Sequence, residues 1–373
     1  MDILQVNPAN KEQVRQFLDL PFHIYKDNPY WVPPLELDMG AITRPQKHPF
    51  YKYGEASFFL AMRNRRAVGR IALIKNQRYI DFNHDPAAFF YWFECENDPE
   101  AAAALFETAF AWACNRGLKR LLGPKGFTPL DGGGILVEGF DYRPAFGMPY
   151  NPPYYAALIE AAGFTPYLES VSGRLDRSIQ FPQRIHDLAE RVRQRRGLHI
   201  ATYKNRRDLK ALIPKLKDLY NGALGGTRGN IPLDDDDINA LAGQLLWFAD
   251  PRLVKIVMKG DEPVGFLLAY PNITAGLQKT KGRLFPFGWL TLLWELRTTP
   301  WVDINGAGLL EEYRGSGGTA ILFSEMFKTA QMLPRFQYAE VVQIGVENDA
   351  MQREMQNFGI HFHKKHRVYQ KDL

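Results

Sequence analysis

The stretch that most constrains this chain runs from Trp301 to Met332, where an apolar segment, a cluster of glycines and an amphipathic segment follow one another. The pattern predicts a strand, a tight turn and then a helix from Thr319 to Leu333. Glycines let an anion approach the backbone without meeting a Cβ, and a helix start offers N–H groups and the positive end of its dipole. The stretch is therefore typical of a phosphate-binding loop, with an ordinary glycine turn before a core helix as the alternative.

The loop sequence is neither a Walker motif, which needs Gly-Lys-Ser/Thr, nor a G-x-G-x-x-G dinucleotide fingerprint. It resembles the pyrophosphate-binding motif of GNAT-superfamily acetyltransferases, Arg/Gln-x-x-Gly-x-Gly/Ala, and departs from that motif at its last position. The resemblance implies that the loop and the end of the preceding strand bind acetyl-CoA, or another acyl-CoA, as cosubstrate. The residues implied to bind it are Leu309, Leu310, Arg314, Gly315, Ser316, Gly317, Gly318, Thr319 and Asn348.

The elements predicted around the loop follow the same family order. A hairpin precedes it, and a strand, a helix that ends at Gly359 and a final strand follow it. Asn348, at the start of that helix, matches an asparagine of the family. The predicted ranges are 253–259 and 264–270 for the hairpin, then 336–346, 349–358 and 361–369.

The first half of the chain repeats this order of hairpin, strand, helix, strand, helix and strand. The fold class expected is therefore α/β, with two tandem GNAT-like domains, each a twisted mixed sheet flanked by helices. The expected domains are 1–178 and 198–373, joined by a basic linker helix over 179–197. Before the central helix of the first half, residues 94–100 carry carboxylates and a proline instead of glycines. The first domain is therefore expected to lack a CoA-binding loop.

Composition limits the partners. With 373 residues and 46% hydrophobic residues, the chain is large enough for two packed cores. Its net charge of +5 suits an anionic ligand but is too diffuse to indicate nucleic acid. Two cysteines and no signal pattern favour a reducing cytoplasm, with no metal and no membrane partner. Segments 48–51 and 139–144 resemble a group of bacterial GNAT-type proteins, and this resemblance implies a bacterial protein. A homo-oligomer is left open.

Acyl transfer to an amine needs a base and a proton donor for the leaving thiolate. The candidate carboxylates are Asp303, Glu340 and Glu347, and each is interpreted first as a surface or structural group. Glu347, beside Asn348, is the one selected as the base to test. Family members usually have a tyrosine acid where this chain has Met355. Tyr369, on the predicted last strand, is the substitute proposed for that acid.

The function expected is direct acyl transfer from acyl-CoA to an unidentified small-molecule or peptide amine. The alternatives are an inactive acyl-CoA-binding or sensing protein, a Fem-type aminoacyl transferase, and a structural interaction protein. Four aromatic residues after the second hairpin indicate either a bulky acceptor or packed core. They are Phe285, Phe287, Trp289 and Trp294.

Overall fold

The structure is a computed structural model of the whole chain. It describes residues 1–373 except 47, 180, 202, 204, 211, 225–228 and 316, and for 206 and 244–246 it describes the backbone only. Within these described residues, no helix is long and apolar enough to cross a membrane.

The elements of the first half alternate between strands and helices. The strands are β1 (Asp2–Gln5), β2 (Gly54–Arg63), β3 (Arg66–Asn76), β4 (Ala87–Cys95), β5 (Arg120–Gly123), β6 (Ile135–Glu138) and β7 (Thr165–Asp176). The helices are α1 (Lys11–Ile24), α2 (Glu36–Ile42), α3 (Gln77–Asn83), α4 (Pro99–Cys114) and α5 (Tyr155–Ala161).

The second half begins with the basic helix and repeats the alternation. Its helices are α6 (Gln183–Arg196), α7 (Arg206–Lys210), α8 (Ile213–Leu224), α9 (Asp235–Phe248), α10 (Thr274–Thr280), α11 (Gly288–Thr298), α12 (Gly318–Met332) and α13 (Asp349–Asn357). Its strands are β8 (Leu198–Ile200), β9 (Val254–Lys259), β10 (Glu262–Pro271), β11 (Trp301–Leu309), β12 (Tyr338–Gly345) and β13 (His361–Asp372).

The described chain forms two compact units, each discontinuous in sequence. The first unit holds residues 1–170, 274–292 and 364–373, and the second holds 171–273 and 293–363. Residues 364–373 thus belong to the first unit, although the sequence places them in the domain 198–373. Compact units of this kind do not show where a domain begins in sequence, so the division at 178 and 198 stays a prediction.

The first unit is a sheet with helices packed on it. Its strands lie in the order β1, β2, β3, β4, β5 and the greater part of β13, and β6 also pairs with β13. Leu105, Phe106 and Ala109 of α4 are fully buried in its core. Their spacing places them on one face of the helix, so the sequence periodicity positions α4 against the sheet.

The second unit is a sheet with helices on both faces. Its strands lie in the order β7 (from Val171), β12, β11, β10, β9 and β8. One face packs against α6, α12 and α13, and the other packs against α7 and α8. The fold-class prediction is confirmed, because both halves give mixed sheets flanked by helices in the expected order.

Several local predictions were wrong. The proline- and aromatic-rich sequence of 21–37 predicts an irregular segment, but α1 continues to Ile24 with Pro21 inside it, and α2 begins at Glu36. The glycine- and proline-rich sequence between β5 and α5 predicts one long loop, but the structure has β6 within it, and no prediction covered α3. These elements are four to seven residues long, too short for a hydrophobic period to identify them.

Candidate active site

The glycine loop leads directly into α12, as the sequence predicts. Gly315 and Gly317 have φ angles of +66° and +86°, in the left-handed region that favours glycine. Gly317 is the N-cap residue of α12, and no described side chain caps this helix start. The backbone N–H groups of the first turn are therefore suited to an anion. Ser316, also predicted to bind the cosubstrate, lies outside the described residues.

Two of the glycines also have a packing role. A Cβ on Gly317 would lie 2.6 Å from Cγ2 of Val192 in α6, and one on Gly318 would lie 2.8 Å from Leu309. A Cβ on Gly315 would have no heavy atom within 4 Å. Gly315 is therefore the position where a side chain can be added to the loop without a clash.

Arg314 organises the end of β11. Its guanidinium donates to the carbonyl of Ala223 at 2.9 Å and, through Nε, to the carbonyl of Leu309 at 3.4 Å. Ala223 lies in the last turn of α8, where carbonyls lack helical partners. Arg314 therefore holds this helix end against the strand, and it serves as a positioning residue for the loop.

Thr319 bonds to a carboxylate of the neighbouring helix. The Thr319 hydroxyl donates to Glu354 of α13, which opposes the rise that burial causes in the pKa of that carboxyl. The contact joins the first turn of α12 to α13 beside the glycine loop. The Thr319 hydroxyl is therefore already hydrogen-bonded to the Glu354 carboxyl in this structure.

Strands β11 and β12 separate next to the loop. Their parallel pairing covers four residue pairs, from Trp301 opposite Tyr338 to Ile304 opposite Val341. Beyond that point β11 has a bulge against β10, where Gly306 has a φ of +117°. A gap between two parallel strands leaves backbone groups of β11 open to an extended ligand.

The N–H groups along the end of β11 face alternate edges of the strand. The N–H of Leu310 donates to the carbonyl of Val264 in the neighbouring hairpin strand at 2.9 Å. The N–H groups of Leu309 and Ala307 therefore point to the opposite edge, towards the gap. Of the two leucines predicted to contact the cosubstrate, Leu309 is the one whose amide can polarise a carbonyl there.

Two buried carboxylates lie where the pairing of β11 and β12 ends. Asp303 is 0% exposed and Glu340 is 3% exposed, and they are register partners on the two strands. The Asn272 side-chain amide donates to both Asp303 carboxylate oxygens at 2.9 Å each. Of the two interpretations given to these carboxylates, surface or structural, burial excludes the first.

Polar side chains of β10 and β11 extend this buried cluster. Asn305 donates to the Tyr270 hydroxyl at 2.5 Å, and burial raises the pKa of that hydroxyl well above its ordinary value. Sequence reasoning did not single out Asn272, Tyr270 or Asn305. Their signal was polar residues at alternate positions, 270 and 272 at the end of one apolar segment and 303 and 305 within another, but only the strand register shows that they meet.

The remaining predicted residues are placed separately. Glu347 is exposed at the end of β12, and Asn348 caps α13 by accepting the N–H of Met351 at 3.1 Å. Met355 is fully buried among apolar side chains of the second unit. No contact of Glu347 or Asn348 in the described chain tests their predicted roles.

Tyr369 lies in the core of the first unit. Its hydroxyl donates to Glu160 at 2.8 Å and accepts from Arg367 at 3.3 Å, and burial raises its pKa to about 12. These contacts favour a structural role. Tyr369 as a proton donor stays a prediction that nothing in its surroundings supports.

Helix α4 of the first unit has the place in the element order that α12 has in the second unit, but it begins differently. The Asp98 carboxylate accepts the N–H of Ala101 at 3.2 Å, Pro99 fills the first helical position, and Arg63 donates to Asp98 at 2.8 Å. A carboxylate therefore occupies the start of α4, where an anionic ligand would have to lie.

The fold of this chain is that of a tandem GNAT protein. A solved tandem GNAT protein from the clavulanic acid biosynthesis pathway matches 100% of this chain and 98% of its own, with a TM-score of 0.58 and 12% identity. At that identity the likeness shows the fold alone.

Two curated proteins are similar in sequence over the whole chain. Protein YghO of Escherichia coli K12 is 25% identical over 370 residues, 98% of this chain and 94% of that protein. Bacterial ceramide synthase of Caulobacter vibrioides is 27% identical over 385 residues, 100% of this chain and 98% of that protein. No protein-family model matches the chain.

Proposed function

We propose that this chain is an acyl-CoA-dependent N-acyltransferase that transfers an acyl group directly from the thioester to an amine. The observation that carries the proposal is the gap where β11 leaves β12, next to a glycine-led helix start. The helix start suits the diphosphate of CoA, and the gap suits its extended arm. Acetyl-CoA is the donor to test first. A bacterial cytoplasmic location belongs to the same proposal.

The described residues supply two of the roles that the reaction requires. The Leu309 N–H polarises the thioester carbonyl, so that the neutral amine forms the new C–N bond as the C–S bond breaks. The Asp303 carboxylate takes the proton that the amine releases, and Asn272 holds it in position. The thiolate of CoA leaves and takes one proton from water to give the free thiol, and Asp303 returns its proton to water, so that protons balance over the turnover. The products are an N-acyl amine and CoA.

The acceptor class that we propose is a long-chain amino alcohol. The support is the similarity, at 27% identity over 100% of this chain, to a protein named bacterial ceramide synthase. A ceramide is the N-acyl derivative of such an amine. Other small-molecule amines and peptide amines are the alternatives, and parallel reactions with sphinganine and with short amines distinguish them.

One observation favours a second candidate, an acyl-CoA-binding protein without turnover. Met355 is fully buried where the family usually has a tyrosine, so this position supplies no hydroxyl to the thiolate. Such a protein binds acetyl-CoA but releases no thiol with any amine. A Fem-type aminoacyl transferase, in contrast, would not depend on CoA binding.

The test of the proposal is calorimetric titration of acetyl-CoA into the wild type and a matched pair of variants, Gly315→Asp and Gly315→Asn. Both side chains tolerate the left-handed backbone and enter open space, so the pair differs mainly in charge. We expect Gly315→Asp to weaken binding about tenfold or more and Gly315→Asn less than about threefold.

A positive binding result leads to an amine screen that detects free thiol. Thiol release with an amine separates the enzyme from the non-catalytic alternative. If wild type does not bind acetyl-CoA or palmitoyl-CoA, the proposal is wrong, and the glycine loop is only a turn.

A further inference from the structure

A cluster of exposed apolar side chains lies on the segment between β10 and β11. Phe285 is 73% exposed, Phe287 72%, Trp289 40% and Leu290 48%. We call these four residues the aromatic surface, and all of them belong to the first unit. Single exposed apolar residues are ordinary, but four large ones within six positions indicate a binding surface.

Hydrogen bonds and an ion pair hold the segment that carries this surface. Gln278 donates to the carbonyls of Pro29 and Trp31, at 3.0 and 2.8 Å. The carbonyl of Gly282 accepts the N–H of Glu36 at 3.1 Å, and a Cβ on Gly282 would lie 2.1 Å from a backbone oxygen. The aromatic surface is therefore presented by a fixed backbone.

The charged residues of the segment that carries the aromatic surface are all cationic. Residues 275–294 contain three cationic side chains, Lys279, Lys281 and Arg283, and no acidic one. All three cationic side chains are exposed, and Arg283 also pairs with Glu36 at 3.4 Å. Aromatic rings beside cations match the interface of a bilayer, where rings reach below the headgroups and cations meet lipid phosphates.

We propose that the aromatic surface binds the headgroup region of an anionic lipid bilayer. Phe285, Phe287 and Trp289 enter the interface, while Lys281 and its cationic neighbours contact anionic headgroups. The proposal replaces the sequence-based expectation of no membrane partner. It does not depend on the proposed acyl transfer, because binding to a surface requires no turnover.

The test is co-sedimentation of the full chain with two kinds of vesicle. One is pure phosphatidylcholine, and the other contains 30% phosphatidylglycerol. We expect binding to the anionic vesicles that falls in 0.5 M NaCl and about tenfold weaker binding to the neutral ones. The double variant Phe285→Ser/Phe287→Ser should reduce binding about tenfold or more.

Matched controls separate the surface from general effects. Phe82, which is 50% exposed on α3, is the control position for the aromatic variants, and Phe82→Ser should bind like wild type. Lys281→Glu should weaken binding about fivefold or more, whereas Lys11→Glu on α1 should not. Circular dichroism checks each variant, and Lys281→Glu still tests the proposal if the double variant does not fold.

Three outcomes overturn the proposal. They are no binding of wild type to anionic vesicles, equal binding by wild type and both surface variants, and an oligomer that binds no vesicle and becomes monomeric in the double variant. The last outcome would assign the aromatic surface to a second copy of the chain. Failure of acetyl-CoA binding alone would leave the membrane proposal intact.

Discussion

The side-chain amide of Asn272 donates to both carboxylate oxygens of Asp303, at 2.9 Å each. Both side chains are buried, and the neutral amide fixes the orientation of the carboxylate. A carboxylate in this state is a suitable proton acceptor, and it lies where β11 separates from β12. These contacts make Asp303 the base that we propose in place of the exposed Glu347.

Asp303→Asn should therefore reduce turnover without reducing cosubstrate binding. The amide keeps the shape of the carboxylate but cannot take a proton, so we expect kcat to fall about 100-fold or more. The acidic limb of the kcat/KM profile should disappear. Steady-state kinetics across pH and calorimetry with acetyl-CoA measure the two effects, and melting temperature checks the fold.

Glu347→Gln is the matched control for that variant. If Asp303 is the base, this control should keep kcat within about twofold, because loss of one exposed carboxylate has little effect on distant proton transfer. A large loss in Glu347→Gln with little change in Asp303→Asn would reverse the assignment and restore the sequence-based choice.

Gly317 and Val192 should be energetically coupled. Gly317→Ala adds a methyl group at a φ of +86° and 2.6 Å from Cγ2 of Val192. We expect it to lower the free energy of unfolding by about 2–3 kcal/mol, against about 1 kcal/mol for Gly315→Ala in open space. When Gly317→Ala is combined with Val192→Ala, the loss of unfolding free energy should be at least about 0.5 kcal/mol smaller than the sum of the losses in the two single variants. Urea denaturation measures the free energy of unfolding of the three single variants and the double variant. Strictly additive losses would contradict the contact between Gly317 and Val192.

Arg177 should be a strong contributor to the stability of the second unit. Its guanidinium donates to the carbonyls of Ala330, Leu333 and Phe336 at 2.9, 3.3 and 3.1 Å, around the end of α12. An ammonium cannot make this fork of bonds, so Arg177→Lys should cost about 2 kcal/mol. Arg184→Lys, at an exposed position of α6, should cost less than about 0.5 kcal/mol in the same denaturation experiment. Equal losses of stability in Arg177→Lys and Arg184→Lys would contradict the structural role proposed for Arg177.

Lys125 should make the stability of the protein depend on alkaline pH. Burial beside the rings of Tyr79 and Phe89 lowers its pKa to about 8, from about 10.4 in an unfolded chain. Between these values the unfolded chain binds more protons, so the free energy of unfolding rises with pH, by about 2 kcal/mol. Lys125→Met should be more stable than wild type at pH 7, with a flatter profile between pH 8 and 10.4.

Lys119→Met, at an exposed position, is the control for Lys125→Met. It should keep the wild-type slope, because it removes a solvent-exposed side chain and leaves Lys125 in place. Guanidinium denaturation at several pH values measures the slopes. If Lys125→Met kept the wild-type dependence of unfolding free energy on pH, groups other than Lys125 would be the cause of that dependence.

The order of elements could be predicted from sequence because it rests on local signals. Asp98 before Pro99, Gly117 after α4 and the glycines before α12 mark helix ends by backbone chemistry that neighbours do not change. The site could be predicted only in part. The loop is one continuous stretch, whereas Asp303 and Glu340 meet through the register of β11 and β12.

The position of Tyr369 could not be predicted for a related reason. A strand with alternating polar and apolar residues shows which residues share a face, but it does not show which sheet the strand joins. Tyr369 lies opposite Gly123 of β5, 246 positions earlier in the chain, and its core neighbours come from the first unit. No local pattern contains such a pairing.

The same pairing has a consequence for synthesis. Residues 364–373 leave the ribosome after all the other described residues, yet they supply a strand to the unit that contains residues 1–170. Multidomain chains generally fold their N-terminal unit first as it emerges. Here the edge of β5 stays unpaired until translation reaches the end of β13, so the unit made first is completed last. A ribosome that stops after residue 363 therefore releases a chain whose N-terminal unit is the incomplete one.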